Sequence, residues 1–388
     1  MNLRFLTAGE SHGPGLTAIL EGLPAGLCLE EKDINIQLSR RQKGFGSGGR
    51  MRIERDRVRF TSGLMAGRTT GGPLSMHLEN KDWANWRDRE ISPMTIPRPG
   101  HADLTGAIKY GYRDLRLALE RASARETAAR VAVGAVCQRF LAEFGITVGS
   151  YVVRIGEAVV TLPSDLSYAD RFAQAEDNDV RCPDPAAAEA MHACIREAMA
   201  AKDTLGGVFE VVALRVPPGL GSHVHWDRRL DARLMWAVGS IQAVKGVEVG
   251  PAFENATKRG TRVHDEILGD RNQLTRPTNR AGGFEGGITT GQPVVIRAAM
   301  KPISTTLTPL RSVDLATGGP ADTRYERSDT CAVPRAAVVG EAMVAYGLAG
   351  ALLEKLGGDS LGDLQARFSA LRREQRTDLE MDNVPWRF

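Results

Sequence analysis

The 388-residue sequence predicts an α+β fold in which sheets pack around central helices. Two segments, 123–144 and 334–357, read as helices built almost wholly from small and apolar residues. A helix that is apolar on all sides needs covering from several directions. Strand-like runs at 147–160, 207–216, 247–253 and 293–300 supply that cover. No internal repeat, low-complexity tract or Pro/Ser-rich linker divides the chain. One intertwined domain over residues 1–388 is expected, with the tail after about 357 peripheral.

In chain order, residues 3–7 form a short strand running into a glycine-flanked histidine loop. Asp33 caps a helix to about Gln42, and Gly44 ends it. Residues 50–60 alternate, with Met51, Ile53, Val58 and Phe60 apolar, and predict a strand pair around Arg55-Asp56. Residues 103–119 read as helical. Ser123 and Glu126 form a Ser-x-x-Glu capping box for the next helix. Asp184-Pro185 opens another helix, and Asp227 or Asp231 a further one. Pro334 and Gly357 bracket the last apolar helix.

The composition, 42% hydrophobic and 25% charged, is that of a soluble globular protein. A net charge of +3 does not by itself imply nucleic-acid binding. Cys28, Cys137, Cys182, Cys194 and Cys331 are odd in number and lack metal-ligand spacing, which predicts free thiols in a reducing cytoplasm. No signal peptide is expected at the N-terminus. Residues 336–353 approach the length of a membrane span, but Glu341 interrupts them, and a buried helix is expected.

Two histidines lie between glycines and prolines, His12 in Gly9-Glu10-Ser11-His12-Gly13 and His101 in Arg98-Pro99-Gly100-His101-Ala102-Asp103. Such bends let a ligand approach closely, and imidazole exchanges protons near neutral pH. The first segment also matches the Gly-x-Ser-x-Gly nucleophile elbow, with Ser11 as nucleophile of a serine hydrolase. That elbow needs strand, turn and helix, whereas Leu16–Leu20 reads as a second strand. Gly44-Phe45-Gly46-Ser47-Gly48-Gly49 matches a dinucleotide-binding pattern but runs from helix to strand, the wrong order. Its flanking Arg40, Arg41, Lys43, Arg50 and Arg52 suit an anion-binding loop. A solvated basic hairpin and an RNA-binding surface are the alternatives, the latter short of stacking aromatics.

Arg121-Ala122-Ser123-Ala124-Arg125-Glu126-Thr127 sets two arginines and a hydroxyl at a helix start, a ready phosphate site. Lys301-Pro302-Ile303-Ser304-Thr305-Thr306 suits a phosphate or a flavin edge. Asp329 either caps the following helix or, paired with Arg327, serves as a held base. His223 and His225 alternate along an extended stretch without a third metal ligand nearby, and no metal site is expected. His77, His192 and His264 read as surface or packing residues.

Taken together and in this order, the segments resemble the chorismate synthase family, over nearly the whole chain up to about Gly357. The resemblance rests on residues 5–13, 98–103, 121–127, 243–246, 301–302 and 327–334. It implies a lyase that removes phosphate from 5-enolpyruvylshikimate 3-phosphate in an anti-1,4-elimination, giving chorismate in aromatic amino acid biosynthesis. It implies reduced FMN as cofactor without net redox change. It further implies a single domain with central helices between antiparallel sheets, in a cytoplasmic homotetramer with no nucleic-acid or membrane partner. No added nucleotide-binding module is evident, so FMN reduced with NADPH by a separate reductase is expected.

The resemblance also assigns roles. His101 assists the departing phosphate, His12 protonates or stabilises reduced flavin, and Asp329 supports proton removal beside the flavin. Arg121, Ala122, Ser123, Gln242, Ala243 and Gly286 fall at flavin-contact positions, as do Lys301, Pro302, Ile303, Ser304, Thr305 and Arg327. Arg41, Ser47, Arg50, Arg98 and Arg125 fall at substrate positions. Many relatives carry an arginine where this chain has Ser47, and Lys43 or Arg50 is expected to supply that charge. Gln242 and Ala122 are milder departures.

Overall fold

The computed structural model describes residues 3–47, 55–270, 272–326, 328–379, 381, 382 and 384–387. Two antiparallel sheets enclose a helical layer. In the first, the strands lie in the order Arg4–Ala8, Gly15–Glu21, Leu74–Glu79, Val58–Ser62. Leu16, Ala18 and Leu20 point into the core from one strand, and Leu74, Met76 and Leu78 from its neighbour. Alternate residues share a face because the side-chain period of a strand is two. The second sheet has the order Val244–Val249, Val294–Met300, Gly207–Leu214, Thr147–Ile155, Ala158–Val159.

The helices Thr127–Ala142 and Val333–Leu356 run between the sheets, the former against the first sheet and the latter against the second. Small residues set their separation. A Cβ on Gly134 would lie 2.2 Å from that of Ala342, and one on Gly340 would lie 2.7 Å from the Phe209 ring. Glycine lets the backbones approach where any side chain would collide. Of the most apolar stretch of the long helix, 89% is buried, so it is a core helix as expected. One contiguous apolar cluster runs from Leu3 to Leu364. Leu364 belongs to the tail helix Leu361–Ser369, so that segment docks onto the core.

Glu341 sits fully buried at the middle of this layer. It accepts from Arg40 Nη1 at 2.6 Å, from Ser150 Oγ at 2.5 Å and from Arg181 Nη2 at 3.2 Å. Arg40 and Arg181 also hold Glu176. A charge this deep is tolerable only when paired and hydrogen-bonded.

Several local expectations differ from the structure, some through tertiary partners and some through local backbone geometry. The first helix, Glu31–Gln42, begins two residues before Asp33, whose carboxylate accepts from the Glu30 amide at 3.0 Å. The Ser123–Glu126 capping box does not close. Glu126 binds Thr7, Arg130 and Gln242 instead, and the helix starts at Thr127 after a 3₁₀ turn. The segment 103–119 divides into Asp103–Tyr110 and Arg116–Ala122 at the left-handed Gly111. No strand pair forms at Arg55-Asp56 among the described residues. Val58–Ser62 pairs with Leu74–Glu79, while Asp56 is drawn inward by two arginines. The 50–54 half of that expected pair lies outside the described residues.

Candidate active site

Loops from both sheets and the helix starts converge on a cleft of about 870 Å³, within the range of small-molecule sites. His12 enters on the connection between the first two strands. That connection is clamped by Asn80, whose Nδ2 donates to the Glu10 and Gly13 carbonyls at 3.2 and 2.8 Å. Glu120 fixes His12 twice, with 2.7 Å to Nδ1 and 2.8 Å to the backbone N–H. The ring also lies against Trp86, centroids 4.1 Å apart. Burial would raise the Glu120 carboxyl, but the His12 hydrogen bonds, with help from the Arg116 charge, hold it below the usual carboxylate range.

His101 has a parallel support. Its Nδ1 is 2.5 Å from Asp103 Oδ1 and 3.0 Å from Arg98 Nη2. The shorter, charge-assisted contact makes Nδ1 the donor to Asp103 and leaves Nε2 as the nitrogen free of that pair. Arg98 grips the same carboxylate through its backbone N–H, Nε and Nη2, at 3.1, 2.8 and 3.0 Å. Burial opposes ionisation of Asp103. The His101 and Arg98 hydrogen bonds, with the Arg98 charge, outweigh it and hold the carboxyl well below its ordinary value. Arg98 Nη1 reaches Thr305 Oγ1 at 3.1 Å, and Ser304 Oγ donates to the Gly100 carbonyl at 2.8 Å. The 301–305 segment is thereby fastened to the His101 loop.

Arg41 and Arg125 share Asp56, at 3.4 and 2.5 Å. Arg41 also donates to Thr127 Oγ1 and the Ala124 carbonyl. Its pKa is lowered to about 10, first by burial and then by the neighbouring charges of Arg125 and Arg335 against the pull of Asp56. It stays cationic at neutral pH, so the cleft floor is a dense positive patch. Lys301 Nζ donates to Ser304 Oγ at 2.9 Å, and its pKa is lowered by burial and by Lys245. Gln242 donates to Glu126 at 3.1 Å, while its buried Oε1 has no hydrogen-bond partner among the described residues.

Of the residues singled out in the sequence, His12, His101, Asp329, Arg41, Arg98 and Arg125 line this cleft. Ala122, Ser123, Gln242 and Ala243 line it too, with Lys301, Ile303, Ser304 and Thr305. Others stand elsewhere. Arg121 donates to the Thr7 carbonyl and hydroxyl, and Pro302 turns its carbonyl to Lys301 Nζ at 3.3 Å. Gly286 is not brought to the cleft. It occupies a left-handed turn, φ 58°, between the short strands Phe284–Glu285 and Ile288–Thr289, near His223. Arg50 and Arg327 lie outside the described residues.

Sequence reasoning missed Glu120, Asp103, Trp86 and Arg335. Asp103 stands two positions after His101 and was within reach of a local reading. Glu120 meets His12 across 108 positions, with no local signal. Arg335 donates to Asp329 at 2.5 Å and to Ser47 Oγ, so among the described residues a cation reaches Ser47 from the long helix, while Lys43 is exposed and Arg50 lies outside the described residues.

The two readings for the first loop now separate. Ser11 is 2% exposed, and its hydroxyl lies 3.0 Å from that of Ser123. It sits in the connection of an antiparallel pair, not on a strand-to-helix elbow. The family model described as chorismate synthase matches residues 3–353. The chain belongs to the chorismate synthase family. The chorismate synthase of Aquifex aeolicus is 54% identical over 383 residues, covering 94% of this chain and 96% of that protein. That of Chlorobaculum tepidum is 52% identical, covering 97% and 100%. A crystal structure of chorismate synthase superposes with a TM-score of 0.79 at 48% identity, over 95% of this chain and 97% of the other. The antiparallel sheets around central helices are thus the chorismate synthase fold.

Proposed function

We propose that this cleft converts 5-enolpyruvylshikimate 3-phosphate to chorismate by anti-1,4-elimination of phosphate, with reduced FMN bound beside the substrate. The observation that carries this is the pairing of two histidines, each held at Nδ1 by an ionised carboxylate, over a floor of buried arginines. A substrate with a phosphate and two carboxylates needs such a floor. His101, fixed through Asp103, presents Nε2 to donate a proton toward the departing phosphate. Asp329, held by Arg335, would support proton removal from the substrate beside the flavin. Arg41, Arg98 and Arg125 orient the anionic groups.

The residues present suit a flavin. The unpartnered Gln242 Oε1 can accept from a ring N–H, and Ala243, Ile303 and Met300 offer apolar surface. Lys301, Ser304 and Ser123 can donate to polar edges. Held by these residues, reduced FMN would supply transient electron donation to the elimination, which would then have no net redox change. His12, oriented by Glu120, would stabilise the reduced form.

We further propose one domain spanning residues 1–388, because the core cluster is contiguous from Leu3 to Leu364. A homotetramer is proposed as well. Trp226, Trp236 and Phe253 are each three-quarters exposed, which an assembly would cover. Five free thiols suit the cytoplasm, where a separate NADPH-dependent reductase would supply reduced flavin. An anaerobic assay with reduced FMN and 5-enolpyruvylshikimate 3-phosphate tests the central claim. Phosphate release and chorismate absorbance should rise together, and a folded, flavin-binding sample that yields neither product overturns it.

A further inference from the structure

Arg335 stands in the first turn of the Val333–Leu356 helix and lines the cleft, with 11% of its side chain exposed. Its Nη1 donates to Asp329 Oδ2 at 2.5 Å, and its Nη2 donates to Ser47 Oγ. Its Nε is buried and has no hydrogen-bond partner among the described residues. An N–H of a charged group shut away from water without an acceptor is costly. Because the side chain lines the cleft, a small turn of the guanidinium would bring this N–H to an acceptor that enters from outside the chain. The guanidinium also adds to the positive field at the cleft floor, where it is one of the charges acting on Arg41.

We propose that Arg335 is a substrate-binding residue, donating from Nε to an anionic oxygen of the substrate while its two terminal nitrogens stay on Asp329 and Ser47. This rests on the elimination proposed above. It gives the serine at position 47 a purpose. A short hydroxyl side chain leaves room for a guanidinium entering from the helix and supplies the acceptor that fixes its rotamer. A Cβ on Gly44 would lie 3.5 Å from Arg335 Cγ and Nε, so the loop backbone closes against the same side chain. One residue thereby ties the loop, the Asp329 carboxylate and the bound anion together.

The test uses Arg335→Met and Arg335→Lys in the full-length protein. Substrate affinity is measured by calorimetry with oxidised FMN, and turnover by the anaerobic assay. In the methionine variant, Kd and KM should both rise about 10- to 100-fold, the range for a hydrogen bond from a charged group. Lysine keeps the charge but lacks the planar fork, so it should restore affinity only in part. Titration with 5-enolpyruvylshikimate, which lacks the phosphate, assigns the oxygen. A loss confined to the phosphorylated substrate places Nε on phosphate, and an equal loss on both places it on a carboxylate. A role limited to holding Asp329 would lower kcat with Kd unchanged, and that result overturns the proposal. Should the methionine variant fail to fold, a lysine-variant Kd within about twofold of the parent's overturns it. If the parent binds substrate yet forms no chorismate, the elimination fails instead, and the Kd comparison still decides Arg335.

Discussion

His101 Nδ1 lies 2.5 Å from Asp103 Oδ1, and the same carboxylate is gripped three times by Arg98. The imidazole is thus held in one orientation by a group that is itself immobile and fully buried. His101→Ala should lower kcat about 10²- to 10⁴-fold, the usual contribution of a positioned acid or base. Steady-state chorismate formation measures it, and an unchanged rate would remove the residue from the chemistry.

Acid should weaken the fold through Asp103, Glu120 and Glu176. All three carboxyls lie below their ordinary values of 3.8, 4.5 and 4.5 in the folded protein, Glu176 at about 2. A group whose folded pKa is depressed contributes stability above its unfolded pKa and loses it as pH falls through the folded one. The thermal midpoint should therefore drop as pH is lowered below about 4.5. For Asp103→Asn, the deficit against the parent should be largest near neutral pH and shrink toward pH 3. A deficit that stays constant down the same series would disprove the linkage.

Gly134→Ala reverses the normal helix preference. In an open helix alanine is more stable than glycine by about 1 kcal/mol. Here the new methyl would lie 2.2 Å from Ala342 Cβ. Overpacking of this kind costs about 1–3 kcal/mol, so the denaturant midpoint should fall. Adding Ala342→Gly should recover little, because the same methyl would also lie 2.3 Å from the Ala342 Cα, and a midpoint that rises in the single variant would show that the two helices separate without penalty.

Glu341→Gln should destabilise the protein by about 3–5 kcal/mol, because removing one member of a buried ion network strands the others. Arg181 would lose its contact with Glu341 and Arg40 two of its carboxylate bonds, leaving Glu176 as the carboxylate they share, beside Gln37 on Arg40 and Ser150 on Arg181. Urea unfolding of the two proteins measures it. A loss below about 1 kcal/mol would mean that Glu176 and these neutral acceptors can satisfy both arginines.

The legible parts of the fold were those with strong local patterning. The Val333–Leu356 helix is announced by Pro334 and Gly357 around an apolar run, and the Thr147–Ile155 strand by its β-branched content. The break at Gly111 also had a local cause, since glycine adopts the left-handed turn that ends a helix. Glu126 was illegible as a structural residue. Its motif matched a capping box, but Thr7 and Gln242, each more than 100 positions away, claim the carboxylate.

The candidate site divides in the same manner. The sequence by itself determined the order of the motifs, the glycine-flanked histidines, the arginine-rich segments and, through them, the family. These are properties of consecutive residues, set by backbone freedom and side-chain chemistry. Which nitrogen of His12 is held by Glu120, that Arg335 reaches Ser47, and that Gly286 lies elsewhere were decided only by the tertiary structure. His12–Glu120, Arg41–Asp56 and Arg335–Ser47 are contacts between segments brought together by burial. Their strength comes from exclusion of water in the assembled core, a property that no local stretch of this chain possesses before it folds.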